Sequence, residues 1–194
     1  MASAFNKAHK FTAIWEGGVS DHPNDRGGVT AFGASIEFVK GIASTASGKN
    51  FLQAQSIKLP ITRATILSLT KEQAAAMFKR EFWDKLGLDR LPYRQALLLY
   101  DAAVNHGPKK AVVLSQRGCN KLVTYGVRLE EDGIIGPKTL AALKADTDAL
   151  VKAIIQARRE YYAAIVENKP DQQVFYKGWL NRANALERCA LGGM

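Results

Sequence analysis

The stretch Trp15–Gly33, WEGGVSDHPNDRGGVTAFG, decides how this chain is read. Glu16 comes first, Asp25 follows nine residues on, and Thr30 five after that, with four glycines and Pro23 between Glu16 and Thr30. So much Gly, Asp, Asn and Pro excludes a regular helix and predicts turns with a short hairpin. Upstream, Phe5, Ala8, Phe11, Thr12 and Trp15 recur at helical spacing behind Ser3, a residue type that caps helices. Gly17-Gly18 ends that helix. Glu16 is therefore expected at a helix C-terminus. There partial burial and the negative helix end both favour the neutral carboxyl. Asp25 sits among polar turn residues beside Arg26, a setting that keeps a carboxylate ionised. Nine extended residues would span roughly 30 Å, so a turn at His22-Pro23-Asn24 must fold the segment back for the two groups to cooperate.

Two carboxyl groups in unlike surroundings are what glycoside hydrolysis requires. One protonates the leaving oxygen, and the other activates water or stabilises the developing positive charge. The Thr30 hydroxyl can hold a water between them. A plain structural reading competes: Glu16 as a solvated helix end and Asp25 as an Asx-turn residue. Spacing alone does not separate the two.

The rest of the chain reads as mostly helical. A brief helix is expected over residues 35–40, followed by a weakly patterned stretch, 41–58, that is either loop or poorly marked helix. Thr70 and Gln73 form a capping box ahead of Ala74, Met77, Phe78, Phe82 and Trp83, which predicts a helix over residues 71–85. Pro92 marks the start of the next helix, whose apolar run QALLLYDAAVN ends at Gly107. Pro108 opens another, reaching about Thr124. The turn DGIIGP leads into a short helix from Pro137. Asp146 or Thr147 caps a long helix that Pro170 stops, and a last helix carries Phe175, Trp179 and Leu186. If there are two domains, the boundary falls near His106-Gly107-Pro108, giving 1–107 and 108–194, tightly packed.

With 194 residues the chain is long enough for a real core. The net charge of +9 attracts polyanions, either an anionic cell envelope or nucleic acid. The basic residues are scattered and show no nucleic-acid-binding signature, so no specific nucleic acid partner is expected. No run of 18 apolar residues occurs, so no transmembrane helix is expected. The first residues lack the apolar block of a secretory signal, which implies synthesis in a cytoplasm. Cys119 and Cys189 lack zinc or CxxC spacing and are expected as free thiols. Three histidines without ligand spacing predict no metal, and no cofactor motif is present.

The string E-G-G-x-S-x-x-P-x-D-x-G-G-x-T-x-x-G, carried by Glu16, Gly17, Gly18, Ser20, Pro23, Asp25, Gly27, Gly28, Thr30 and Gly33, resembles the N-terminal signature of glycoside hydrolase family 108. These are N-acetylmuramidases of phage endolysins and bacterial lysozymes. The segments DAAVNHGPKKA, DGIIGPKT and FYKGWLNRA resemble the predicted peptidoglycan-binding type 3 domain that usually follows. The resemblance implies a mostly α, lysozyme-like helical fold with a small β-hairpin element carrying the active site. It implies Glu16 as general acid, Asp25 positioning or activating water, and Thr30 assisting. The substrate would be peptidoglycan, cut at the β-1,4 bond between N-acetylmuramic acid and N-acetylglucosamine. The enzyme would be a monomeric endolysin made in a host cytoplasm and released by a holin-type pore. Two positions depart from the family pattern. Val19 replaces an aromatic and Ala34 replaces Ile, both in places that concern packing or sugar stacking.

Other residues are candidates for substrate binding. Trp83, after Phe82, offers a flat ring to sugar CH groups, against a competing core role. Asn105 and His106 end a helix at a Gly-Pro break and are placed to hold an acetamido group, against a C-cap role. Asp132-Gly133 and Gly136-Pro137-Thr139 offer a second wall contact, against a tight turn and helix start. Adjacent Tyr161 and Tyr162 point in different directions, one to core and one towards the surface. A lytic transglycosylase, which cuts the same bond without water, is the rival enzyme. A non-catalytic wall-binding or secretion-related protein is the rival from another class.

Overall fold

The computed structural model describes residues 3–17, 29–124 and 126–192. Asp25 and Val19 lie outside them. The described residues form ten α-helices and one small antiparallel sheet, in line with the mostly α expectation. The chain divides into two compact units, one of residues 9–81 and one of residues 1–8 and 82–194.

Helix α1 runs Ala4–Glu16. The Ser3 hydroxyl accepts a hydrogen bond from the Asn6 backbone at 3.2 Å and so caps its start. Of the residues at helical spacing, Phe5, Ala8 and Thr12 are buried and Phe11 is half-buried, whereas Trp15, at the helix end, is 37% exposed. In the unit of residues 9–81, strands β1 (Thr30–Ala31) and β2 (Ala34–Ser35) pair Thr30 with Ser35 and Ala31 with Ala34. The Ser35 hydroxyl then caps α2 (Ile36–Ala43), accepting from the Phe38 backbone at 3.2 Å.

The weakly patterned stretch is helix α3, Ala46–Ala54. Its glycine, which in the sequence suggests a loop, is needed for close approach: a Cβ at Gly48 would lie 1.7 Å from the Ile42 carbonyl oxygen. A short α4 (Arg63–Leu67) follows, started by a Thr62–Thr65 capping box. Helix α5 (Lys71–Phe78) starts with the expected Thr70–Gln73 box. Beyond Phe78 the chain does not continue as α-helix, since Lys79–Asp84 is a π-helical segment.

The larger unit is built on α6 (Tyr93–His106), α7 (Pro108–Lys121), α8 (Pro137–Leu143), α9 (Asp148–Asn168) and α10 (Gln173–Ala190). Proline and glycine set the boundaries as expected: Gly107 separates α6 from α7, and Pro170 follows the end of α9. Leu97, Leu98, Leu99, Val112, Leu114, Ile155 and Leu186 are buried in its core. Helices α7 and α9 cross at Gly118, where a Cβ would come within 2.6 Å of the Ile154 Cα.

A buried ion cluster ties α6, α9 and α10 together. Arg158 Nη1 donates to Asp101 Oδ2 at 2.6 Å, and Arg182 Nη2 donates to Asp101 Oδ1 at 2.9 Å. Asp101 is 0% exposed. Burial alone would raise its pKa, but the two guanidiniums prevail and hold the carboxyl below its usual range. Both cysteines are free. Burial pushes the Cys119 thiol up to about 11 and raises that of Cys189, so both stay protonated at neutral pH.

Candidate active site

Glu16 is the last residue of α1, half-buried, and its Oε1 is out of contact with solvent. The hairpin turn packs against this side chain. Phe32 and Gly33 join β1 to β2 with φ of 51° and 81°, the positive pair that a type I′ turn requires. A Cβ at Gly33 would lie 2.9 Å from Glu16 Cβ and 3.2 Å from Phe78 Cζ. Glycine is therefore required twice at this position, for its backbone and for the room it leaves.

Thr30 stands half-buried on the same hairpin, so the structure brings two members of the motif, Glu16 and Thr30, onto adjoining elements. Phe78 backs the turn and stacks on Phe38 at 5.4 Å between ring centres. The sequence gives no sign that these two phenylalanines hold the hairpin. Ala34, one of the departures from the family pattern, is fully buried opposite Ala31.

A groove of about 600 Å³ has Gly17 and Phe32, chain neighbours of Glu16 and Gly33, in its wall. Ala13, Ile14 and Ala75 line it as well, and Lys71 places its ammonium 5.9 Å from the Phe32 ring centre. His9, also in its wall, has its pKa lowered by burial. Among the described residues no group of three or more His, Cys, Asp or Glu side chains is arranged to hold a metal ion.

Trp83 is not a sugar platform. It is 0% exposed, meets Phe5 and Tyr100 edge-to-face at 5.7 Å each, and donates its indole N–H to Asp89 at 2.9 Å. A ring with no open face cannot stack on a pyranose. Asn105 and His106 close α6 and are half-buried. Asn105 Oδ1 accepts from the Tyr162 hydroxyl at 3.3 Å and from Arg158 Nη2 at 3.4 Å. His106 Nε2 lies 3.2 Å from the Tyr162 hydroxyl. Burial first, then the Arg158 and Arg182 charges, push the His106 pKa down to about 3, so its ring is neutral near pH 7. Both side chains thus extend the buried ion cluster. Gln116 is a further residue with no sequence signal. Buried under the DGIIGP turn, it donates to Asp132 at 2.7 Å and to Thr139 at 3.2 Å, and it accepts from the Gly133 backbone at 3.0 Å.

Residues 9–107 match the family described as Glycosyl hydrolase 108. The chain belongs to glycosyl hydrolase family 108. Residues 110–184 of this hydrolase match a predicted peptidoglycan domain. SagA of Brucella abortus has a similar solved structure, with a TM-score of 0.73 and 27% identity, over 97% of this chain and 94% of that one. No curated protein matches. The fold of the family 108 hydrolase is lysozyme-like, and the two matched regions mark it as a peptidoglycan hydrolase.

Proposed function

We propose that this hydrolase is an N-acetylmuramidase that cuts the β-1,4 bond between N-acetylmuramic acid and N-acetylglucosamine, with Glu16 as the general acid. The observation that carries the reading is the packing of Gly33, on the hairpin of Thr30, against the Glu16 side chain beside an open groove. A carboxyl fixed at its Cβ, with one oxygen buried, is positioned rather than free to swing.

In the proposed reaction Glu16 gives its proton to the glycosidic oxygen as the bond to the anomeric carbon breaks. Asp25 stabilises the positive charge or takes a proton from the attacking water, and the Thr30 hydroxyl orients that water. The water oxygen bonds to the anomeric carbon and leaves a reducing end. In a cell the reading is of an endolysin, acting as a monomer on the wall after release from the cytoplasm, with the +9 charge drawing it to an anionic envelope.

The test is turbidity loss of purified sacculi with wild type, Glu16→Gln and Asp25→Asn, each checked for native circular dichroism. Removing the acid should slow the reaction by about 10²–10⁴-fold. Retained activity in Glu16→Gln sinks the reading. Mass spectrometry of the products separates the rival chemistry, because a 1,6-anhydro end, lighter by one water, means a transglycosylase.

A further inference from the structure

The larger unit carries aromatic surface that the hydrolytic site does not use. Rings form a row across α9 and α10: Tyr161 to Tyr162 at 6.4 Å, Tyr162 to Trp179 at 5.4 Å, and Trp179 to Phe175 at 6.1 Å. The last two pairs are stacked, at 28° and 25° between planes. Tyr162 is buried, Trp179 and Tyr161 are half-buried, and Phe175, at the end of the row, is 54% exposed beside Val174 at 77%. Tyr161, at the other end, walls a hollow of about 440 Å³ with Asn168, Lys169 and Gln172, within the usual span of ligand clefts, about 300–1,000 Å³. Gln172, in the wall of that hollow, donates its amide to Asp171 at 2.8 Å.

We propose that the two ends of this row, the exposed Phe175 ring and the half-buried Tyr161 ring that Lys110 overlies, are the contacts by which the region matching the peptidoglycan domain holds the glycan strand. The inference rests on the peptidoglycan reading above. Three features favour a sugar chain as occupant. Phe175 and Val174 leave adjoining apolar side chains in solvent, a surface suited to a contact, and aromatic faces suit the CH faces of pyranoses. Asn168 and Gln172 donate to the Ala164 carbonyl at 2.7 Å and to Asp171 at 2.8 Å, which orients amide groups in the hollow whose oxygens can accept from hydroxyl and acetamido N–H groups. Along residues 167–177 formal charge cancels, Glu167 and Asp171 against Lys169 and Lys177, and Lys110 adds one positive charge. A single excess charge does not select a polyphosphate or nucleic acid, which would demand clustered cations. Two cations meet the row: Arg158, 5.6 Å from the Tyr162 ring centre, is buried and paired with Asp101, whereas Lys110, 4.9 Å from the Tyr161 ring centre, leaves room for a single acidic group on a neighbouring stem peptide.

The experiment is co-sedimentation of the full chain with purified sacculi, in the Glu16→Gln background so that the ligand is not consumed, at low and high salt. Phe175→Ala, Tyr161→Ala, the double variant and Phe175→Trp are compared, with circular dichroism and thermal melts as fold controls. Loss of one stacked ring should weaken binding by about tenfold and loss of both by more, with Phe175→Trp restoring it. Competition by soluble N-acetylglucosamine oligomers should follow the same order. Unchanged binding in the folded double variant overturns the platform. Binding that ignores the ring substitutions and vanishes at high salt also overturns it, because charge attraction then does the holding. Self-association of the parent that Phe175→Ala abolishes, with wall binding intact, overturns it in favour of a protein interface. Sacculi digestion by the otherwise native chain is scored separately: its absence removes the hydrolytic reading, while ring-dependent binding still decides the platform.

Discussion

Replacing Gly33 by alanine tests the geometry on which the candidate active site depends, and Gly17 supplies the control. Both glycines have a positive φ, 81° and 76°, so a Cβ brings backbone strain at either position. That strain costs about 1–2 kcal/mol for an L residue. Around Gly17 a Cβ meets nothing within 4 Å among the described residues, so there strain is the cost to weigh. At Gly33 it lands 2.9 Å from Glu16 Cβ and 3.2 Å from Phe78 Cζ. Glu16 Cβ is rooted in α1 and cannot swing aside like a side-chain tip. Forcing such a contact costs about 1–3 kcal/mol more. Gly33→Ala should therefore lose about 2–5 kcal/mol and Gly17→Ala about 1–2 kcal/mol, read as urea midpoints at unchanged slope. The same push displaces the carboxyl. A misplacement of about 1 Å in a reacting group costs on the order of 10²-fold in rate, so sacculi digestion by folded Gly33→Ala should fall by about that factor. If Gly33→Ala matches Gly17→Ala in stability and wild type in rate, the hairpin does not press on Glu16 and the site as described is wrong.

The buried ion cluster makes further predictions. Asp101→Asn leaves two guanidiniums without their counter-charge and should cost about 3–5 kcal/mol by urea unfolding. Because the Asp101 pKa lies below its ordinary 3.8, the cluster stabilises fully above that value and loses its contribution as pH falls further. His106 acts at higher pH. With about 3 in the fold against 6.5 in the unfolded chain, the unfolded state takes the proton first. Stability should then decline as pH falls from about 6.5 towards 3, and His106→Gln should flatten that slope. An NMR titration that finds His106 protonating near 6.5 would refute it. Gly118→Ala sets a Cβ 2.6 Å from the Ile154 Cα, so it should destabilise the larger unit by about 1–3 kcal/mol or force α7 and α9 apart, visible as a lower melting temperature.

How far the sequence could be read depends on whether the deciding interaction is local. Helix boundaries are local, because a cap needs only a hydroxyl and a backbone N–H three residues on. Thr70, Thr147 and the Gly107-Pro108 break therefore lie where sequence reading puts them. The Trp15–Gly33 motif marks the family for the same reason, since its residues are close along the chain. Trp83 takes the core role that its place on the apolar face of residues 71–85 offers, and not the sugar-platform role that competed with it, although residues 79–84 wind as π-helix, with a wider turn, where α-helix is expected. The weakly patterned stretch hid α3 because Gly48 looks like a breaker until the Ile42 carbonyl beside it is known. The Asp101 cluster was out of reach altogether. Its arginines are 57 and 81 positions away, on helices whose pairing no local pattern announces. The same distance explains why Asn105 and His106, read as cleft residues from their helix end, are held in the fold by Arg158 and Tyr162. In this hydrolase short-range chemistry marks the candidate acid and its hairpin, while long-range packing decides which of the remaining polar side chains are free to meet a substrate.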